Sequence, residues 1–367
     1  MPQLATALQL CLLLAASVGT ALLLKAWLSA SAWLVAAMLT AMCFGLAGSK
    51  LRIKPWLMAI AQGMTGVAIA STLDIHGLLK AAANGWAFVA VLLTVGSAIA
   101  VGWVMLRFAS LSGTTAVWGS LPGAASVMGS LAMVNGGDGV LVSLMQYLRV
   151  VLVVAIAPLV AHSLGATSPI AVGSLPKAVA TMQGHHAIGF GLAIAICLLG
   201  CWIATRFNIL AGAFLVPLLL GSVYTGTSPI ALHVPSPVLS GGFTILGWAI
   251  GLQFRREFAI TMVRSVPAML VATLAMLGVC ALWAWLLARL SPISFLTAYL
   301  ATTPGGLDSV VAIAMGTTAD LNFVVAVQTM RVFVVLFVGP FVARLLGRTK
   351  SACGPQNGKV DRGSGAG

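Results

Sequence analysis

Ala298-Tyr299-Leu300-Ala301-Thr302-Thr303-Pro304-Gly305-Gly306-Leu307-Asp308 sits inside an apolar run near 293–315. So apolar a run reads as a helix, yet Pro304-Gly305-Gly306 cannot continue one. Proline lacks the amide hydrogen and its ring strikes the preceding turn, and glycine is the next poorest helix former. Ser120-Leu121-Pro122-Gly123-Ala124-Ala125-Ser126 breaks the run near 113–134 in the same way. Inside a bilayer, irregular backbone survives only where protein or a water-filled cavity supports it.

Working outward from the two breaks, a constant offset of 182 aligns them without a gap. Pro122 meets Pro304, Gly123 meets Gly305, Asp138 meets Asp320, Gln146 meets Gln328, Arg149 meets Arg331, Pro158 meets Pro340 and Gly165 meets Gly347. Across 118–165 against 300–347, fifteen of 48 positions are identical. The shared Asp, Gln and Arg carry the argument, because such residues are scarce here. The chain therefore reads as a duplication, with a first repeat at 1–165, a linker at 166–186 and a second repeat at 187–348. Residues 349–367 read as a disordered polar cytoplasmic tail.

Of the 367 residues, 60% are hydrophobic and only 7% are charged. A soluble globular protein carries about 25% charged residues, so lipid is expected to cover most of this one. The net charge of +13 is then a loop property, favoured on the cytoplasmic face, and not a nucleic-acid signal. Further apolar runs fall near 3–24, 31–48, 56–73, 84–107 and 139–164, and near 187–205, 209–224, 237–254, 265–288 and 321–346. The first lacks a basic leader and reads as a retained helix, not a signal peptide.

Placing the N-terminus inside and letting the broken segments re-enter puts eleven basic residues on the cytoplasmic side: Lys50, Arg52, Lys54, Arg107, Arg206, Arg255, Arg256, Arg264, Arg344, Arg348 and Lys350. Four fall outside: Lys25, Lys80, Lys177 and Arg289. The expected fold is all-α and polytopic, two inverted repeats of about five transmembrane helices plus one interrupted, re-entrant segment each. Inverted repeats with broken helices are a recurring plan of secondary transporters, with the site where the repeats meet.

Asp138 and Arg149 are separated by about three helical turns, roughly 16 Å, as are Asp320 and Arg331. With each Asp at the membrane boundary, each Arg lies near mid-depth and needs protein, water or a counter-charge. Gln146 and Gln328, one turn before the arginines, share their face. Two readings stand for the arginines: a tie to the carbonyls of the breaks, or contact with a solute. For Asp138 and Asp320, helix capping is favoured over a site role. Helix starts after Pro122-Gly123, toward Ser126, and after Thr303-Pro304-Gly305-Gly306 offer free N–H groups to an anion. Asp308, opposite Ser126, binds a cation or proton, or caps its own helix. The six cysteines read as small apolar residues. The five histidines form no converging set, so neither a metal centre nor a cofactor is expected, and no catalytic motif stands out.

Leu144-Met145-Gln146-Tyr147-Leu148-Arg149-Val150, the 298–308 stretch and Val327-Gln328-Thr329-Met330-Arg331 resemble the AbrB family of bacterial inner-membrane proteins. The resemblance covers about 10–347. It implies a multi-pass membrane protein and a regulatory link to aidB expression, and it carries an ammonia monooxygenase label that the missing metal ligands disfavour. It also points to inverted-repeat ion transporters. The expected function is a secondary transporter of a small solute, with indirect regulation of gene expression as the alternative. The expected partners are the lipid bilayer and that solute, and a homodimer is common for such folds by analogy.

Overall fold

A computed structural model describes residues 2–28, 31–73, 75–108, 113–123, 125–166, 186–209, 211–228, 230–254 and 266–347. The described residues form helices throughout. In the first half these are α1 (Pro2–Leu28), α2 (Ala32–Leu46), α3 (Pro55–Ala70), α4 (Ile75–Ala83), α5 (Gly85–Phe108), α6 (Gly113–Ser120), α7 (Ala125–Val134) and α8 (Gly139–Ser163). In the second they are α9 (His186–Arg206), α10 (Gly212–Thr227), α11 (Ser236–Gly251), α12 (Val266–Leu290), α13 (Phe295–Thr302), α14 (Leu307–Ala314) and α15 (Leu321–Gly347). The expected linker, the tail and the loop bearing Arg255, Arg256 and Arg264 lie outside the described residues.

Among the described residues, five helices are long and apolar enough to cross a membrane: those carrying Leu8–Lys25, Gly85–Met105, Gly139–Ser163, Ala187–Arg206 and Val266–Leu290. Their outward faces carry Leu22, Leu23, Trp103, Leu198, Trp202, Leu282 and Trp285, all exposed. Water would not tolerate so much apolar surface. This is the build of a membrane protein. Helices α2, α3 and α11 are shorter than their apolar runs, 15 or 16 residues each, and α10 keeps the length of its run, 16 residues, shifted three positions along the chain. At 1.5 Å per residue they reach about 24 Å, and Pro55, Pro235 and the turn around Ala211 set their starts.

The helices pack in two sets. One joins α1–α3 to α9–α11, and the other joins α5–α8 to α12–α15, with α4 lying against α5, α10 and α15. Between the sets, α8 touches α1, α2 and α11, and α14 touches α3. Glycines let the first set pack at backbone distance. A Cβ on Gly247 would stand 2.5 Å from the Leu34 carbonyl oxygen, and one on Gly251 would strike that of Met38. Gly45 faces the Phe254 carbonyl. Contacts thus climb both helices together, and α2 runs parallel to α11. Gly63 against Ala213, Gly66 against Phe214 and Gly221 against Ala70 make α3 parallel to α10. By contrast α3 and α11 are antiparallel. Leu51, just before α3, packs with Trp248 and Leu252 at the end of α11, whereas Gly242 faces Ala61 and Thr65.

Candidate site at the two broken helices

Both breaks fall where the prolines stand. Helix α6 ends at Ser120 and α7 starts at Ala125; α13 ends at Thr302 and α14 starts at Leu307. Thr303 is extended (φ −60°, ψ 129°), as the residue before a proline prefers. The chain then reverses. Thr115 on α6 lies beside Asp138, whose backbone N–H donates to its hydroxyl oxygen at 2.9 Å. In the second half the Asp320 N–H donates to Thr297 Oγ1 at 3.0 Å. In each half the start of the broken segment and the start of the helix that follows it therefore lie side by side. The tip of the segment lies alongside the arginine, about 16 Å further along α8 or α15.

At each tip the proline removes the donor that the carbonyl four residues back would use, and burial keeps water from replacing it. A glutamine supplies it instead. Gln146 Nε2 donates to the carbonyl oxygens of Trp118 (3.0 Å) and Leu121 (2.8 Å). Gln328 Nε2 donates to those of Leu300 (2.8 Å), Ala301 (3.3 Å) and Thr303 (3.2 Å). The arginines complete the caps. Arg149 Nη1 donates to Ser120 O at 3.1 Å. Arg331 donates to Thr303 O at 2.8 Å and Gly305 O at 3.0 Å. Each Nη2 also donates to the neighbouring glutamine, Arg149 to Gln146 and Arg331 to Gln328. A cation at a helix C-terminus is electrostatically favourable. Of the two readings left open for the arginines, the tie to the break carbonyls is thus realised.

The tips also approach one another. Gly305 packs on Val153 of α8, where a Cβ would lie 2.8 Å from Val153 Cγ1. Arg149 lies within electrostatic reach of Arg331, and the Cys280 side chain within reach of both. Arg149 and Arg331 are 3% and 2% exposed. Pro122, Pro304 and Thr303 are buried, and Gly123, Gly305 and Gly306 half-buried, at the same tips. Ser126 belongs to the first turn of α7, and its side chain lies outside the description.

The aspartates divide. Asp138 Oδ1 accepts from Val140 and Leu141 N–H, both at 3.0 Å, and Asp320 Oδ1 from Asn322 (3.0 Å) and Phe323 (3.3 Å). Both are exposed N-caps, remote from the arginines. Replacing either by alanine is expected to cost about 1 kcal/mol, read as a shift in the unfolding midpoint, and to leave solute handling intact. Asp308 belongs to the centre. Its Oδ1 accepts from Ser309 N–H at 2.8 Å, and its Oδ2 from Gln62 Nε2 at 3.0 Å. Gln62 lies on α3, so this bond links the two helix sets.

Sequence reasoning missed Gln62, Thr115 and Thr297. The two threonines were within reach, because they obey the same 182 offset as the aspartates they serve. Gln62 has no such twin, since its counterpart position is Thr244.

Two broken segments, each capped by a buried Gln–Arg pair inside an all-helical apolar bundle, define a helical multi-pass membrane protein. The family described as "Transition state regulatory protein AbrB" matches residues 33–347, and the chain belongs to the AbrB family. It is 35% identical over 317 residues to a protein of Escherichia coli (strain K12) named as a candidate regulator, AbrB, with 86% of this chain and 90% of that protein covered. It is 26% identical over 347 residues to YhjN of Bacillus subtilis (strain 168), covering 86% of this chain and 87% of that protein. No solved structure matches the chain.

Proposed function

We propose that the protein is a secondary transporter of a small solute in the bacterial inner membrane, with no enzymatic activity of its own. In this reading the two halves form an inverted duplication whose broken segments re-enter from opposite faces and meet at mid-depth. One observation carries it: two breaks 182 residues apart are held by the same buried Gln–Arg device, on α8 and α15, which run in opposed directions, because the Thr318 N–H before α15 donates to the Ala166 carbonyl after α8 at 3.0 Å, and Gly305 packs on Val153. The antiparallel course of α3 and α11 supports the inversion, because they occupy equivalent places in the two halves. The side-by-side starts of each broken segment and of the helix that follows it support re-entry. Helix ends converging at mid-membrane can bind a solute without dedicated loops. The division into two helix sets supplies the bodies that would move against each other to alternate access.

The family description and the name of the Escherichia coli relative speak of regulation. That reading carries over to this chain as an indirect effect, through the solute moved or through a partner at the cytoplasmic loops. Flux measurements separate the two. Purified protein in liposomes is expected to move members of a broad metabolite panel, and Arg331→Ala to reduce that flux at least about 10-fold by disordering the second tip. Absence of flux for every member, with protein folded and inserted, would favour the regulator.

A further inference from the structure

Among the described residues, five buried side-chain polar atoms lack any hydrogen-bond partner: Trp118 Nε1, Arg149 Nε, Arg331 Nε, Thr329 Oγ1 and Asn322 Oδ1. The first four belong to the breaks or to the helices that cap them. Three of those are N–H groups, which donate and cannot accept. Orphaned buried groups at such density point to a missing ion or water, and donors alone ask for an acceptor.

Charge distinguishes water from an anion. The two guanidiniums bring two positive charges. Two helix C-termini and two helix N-termini meet at the tips, and their partial charges of about half a unit each cancel. Among the described carboxylates, Asp138 and Asp320 lie at the far ends of α8 and α15, and Asp308 bonds to Gln62 and Ser309, with neither arginine among its partners. Even with Asp308 counted in full, the described residues leave about one positive charge uncompensated on two buried side chains. A water molecule could fill the hydrogen bonds but not the charge. Each guanidinium keeps one unpartnered donor, its Nε–H, and a charged oxygen is the acceptor that suits it.

We propose that the solute is a small oxyanion, carboxylate or phosphate, held between the Arg149 and Arg331 guanidiniums. This rests on the transport reading for its role, though not for its binding. The break carbonyls orient both side chains from behind, leaving the Nε–H edges for the ligand. Asp308, present at only one tip, sets the limit to about one net negative charge, so singly charged anions are preferred over multiply charged ones.

The test uses the full chain in lipid nanodiscs, with the thermal unfolding midpoint followed against sodium acetate, sodium phosphate and sodium chloride at equal ionic strength. Acetate or phosphate, whichever the site takes, is expected to raise the midpoint saturably, and chloride not to. Arg149→Gln and Arg331→Gln are expected to raise the half-saturating concentration at least about 30-fold. If these variants do not fold, Arg149→Lys and Arg331→Lys decide: they keep a cation on the carbonyls and lose the Nε–H donor, and are expected to bind about 10-fold more weakly. Equal responses to the three salts, or unchanged responses in the folded variants, would overturn the proposal. Saturable oxyanion binding without flux of any solute upholds this site and removes the transport reading. Flux of neutral or cationic solutes that acetate and phosphate leave unaffected does the reverse.

Discussion

Gln328→Leu is expected to destabilise the protein by roughly 3 kcal/mol or more, although the two side chains are close in volume. The carbonyls of Leu300, Ala301 and Thr303 share the Gln328 amide donor. Leu300 O has no helical alternative, because its natural donor would be the amide of Pro304. A buried polar group left unpaired costs about 1–3 kcal/mol, more where a charge is involved. Here the Arg331 guanidinium also loses its Gln328 acceptor. Gln146→Leu should act in the same direction through Trp118 O and Leu121 O. Unfolding in mixed micelles of increasing denaturing detergent would measure both. A change below about 1 kcal/mol in Gln328→Leu would mean that water reaches the tip and that the buried site described above does not exist.

Gly251→Leu is expected to prevent stable assembly of the first helix set. Even a Cβ there would overlap the Met38 carbonyl oxygen, and it would stand 2.7 Å from Ala41 Cβ and 2.8 Å from Met42 N. These are mostly backbone atoms of α2, which cannot turn aside as a flexible side chain does. Overpacking a well-filled interior costs about 1–3 kcal/mol, and forcing two helix backbones apart lies at or beyond the upper end. Gly241→Leu on the same helix is the control, because a Cβ there would meet nothing within 4 Å. The measurement is the yield of monodisperse protein after solubilisation, together with the unfolding midpoint. Equal yields for the two variants would contradict the close parallel contact of α2 and α11, and with it the support for inverted halves.

Much of this architecture was legible in the residues. Pro122 and Pro304 mark both breaks, and the 182 offset transfers the limits of α6 onto those of α13. Asp138 and Asp320 fall at helix starts, as turn-like residues before an apolar run suggest. The partners of the breaks were not legible. Gln146 and Gln328 looked like residues facing a cavity, because helical spacing gives the face a side chain occupies but not what stands opposite. Their bonds reach back 25 to 28 residues to carbonyls that only a reversal of the chain brings within reach. The Asp308–Gln62 bond, spanning 246 residues, was further still from anything local pattern can state.

The sequence by itself determined that this is a helical membrane protein, where two of its apolar runs break, and that the same residue types recur around both breaks at one constant offset. Apolar composition and proline chemistry act locally and need no fold to be read. Only the tertiary structure decided that both arginines turn toward break carbonyls, that among the described residues neither takes a carboxylate partner, and that α3 and α11 run antiparallel. Those outcomes depend on which buried donors and acceptors the packed helices bring together, and burial makes each such pairing matter because no water can stand in for a missing partner.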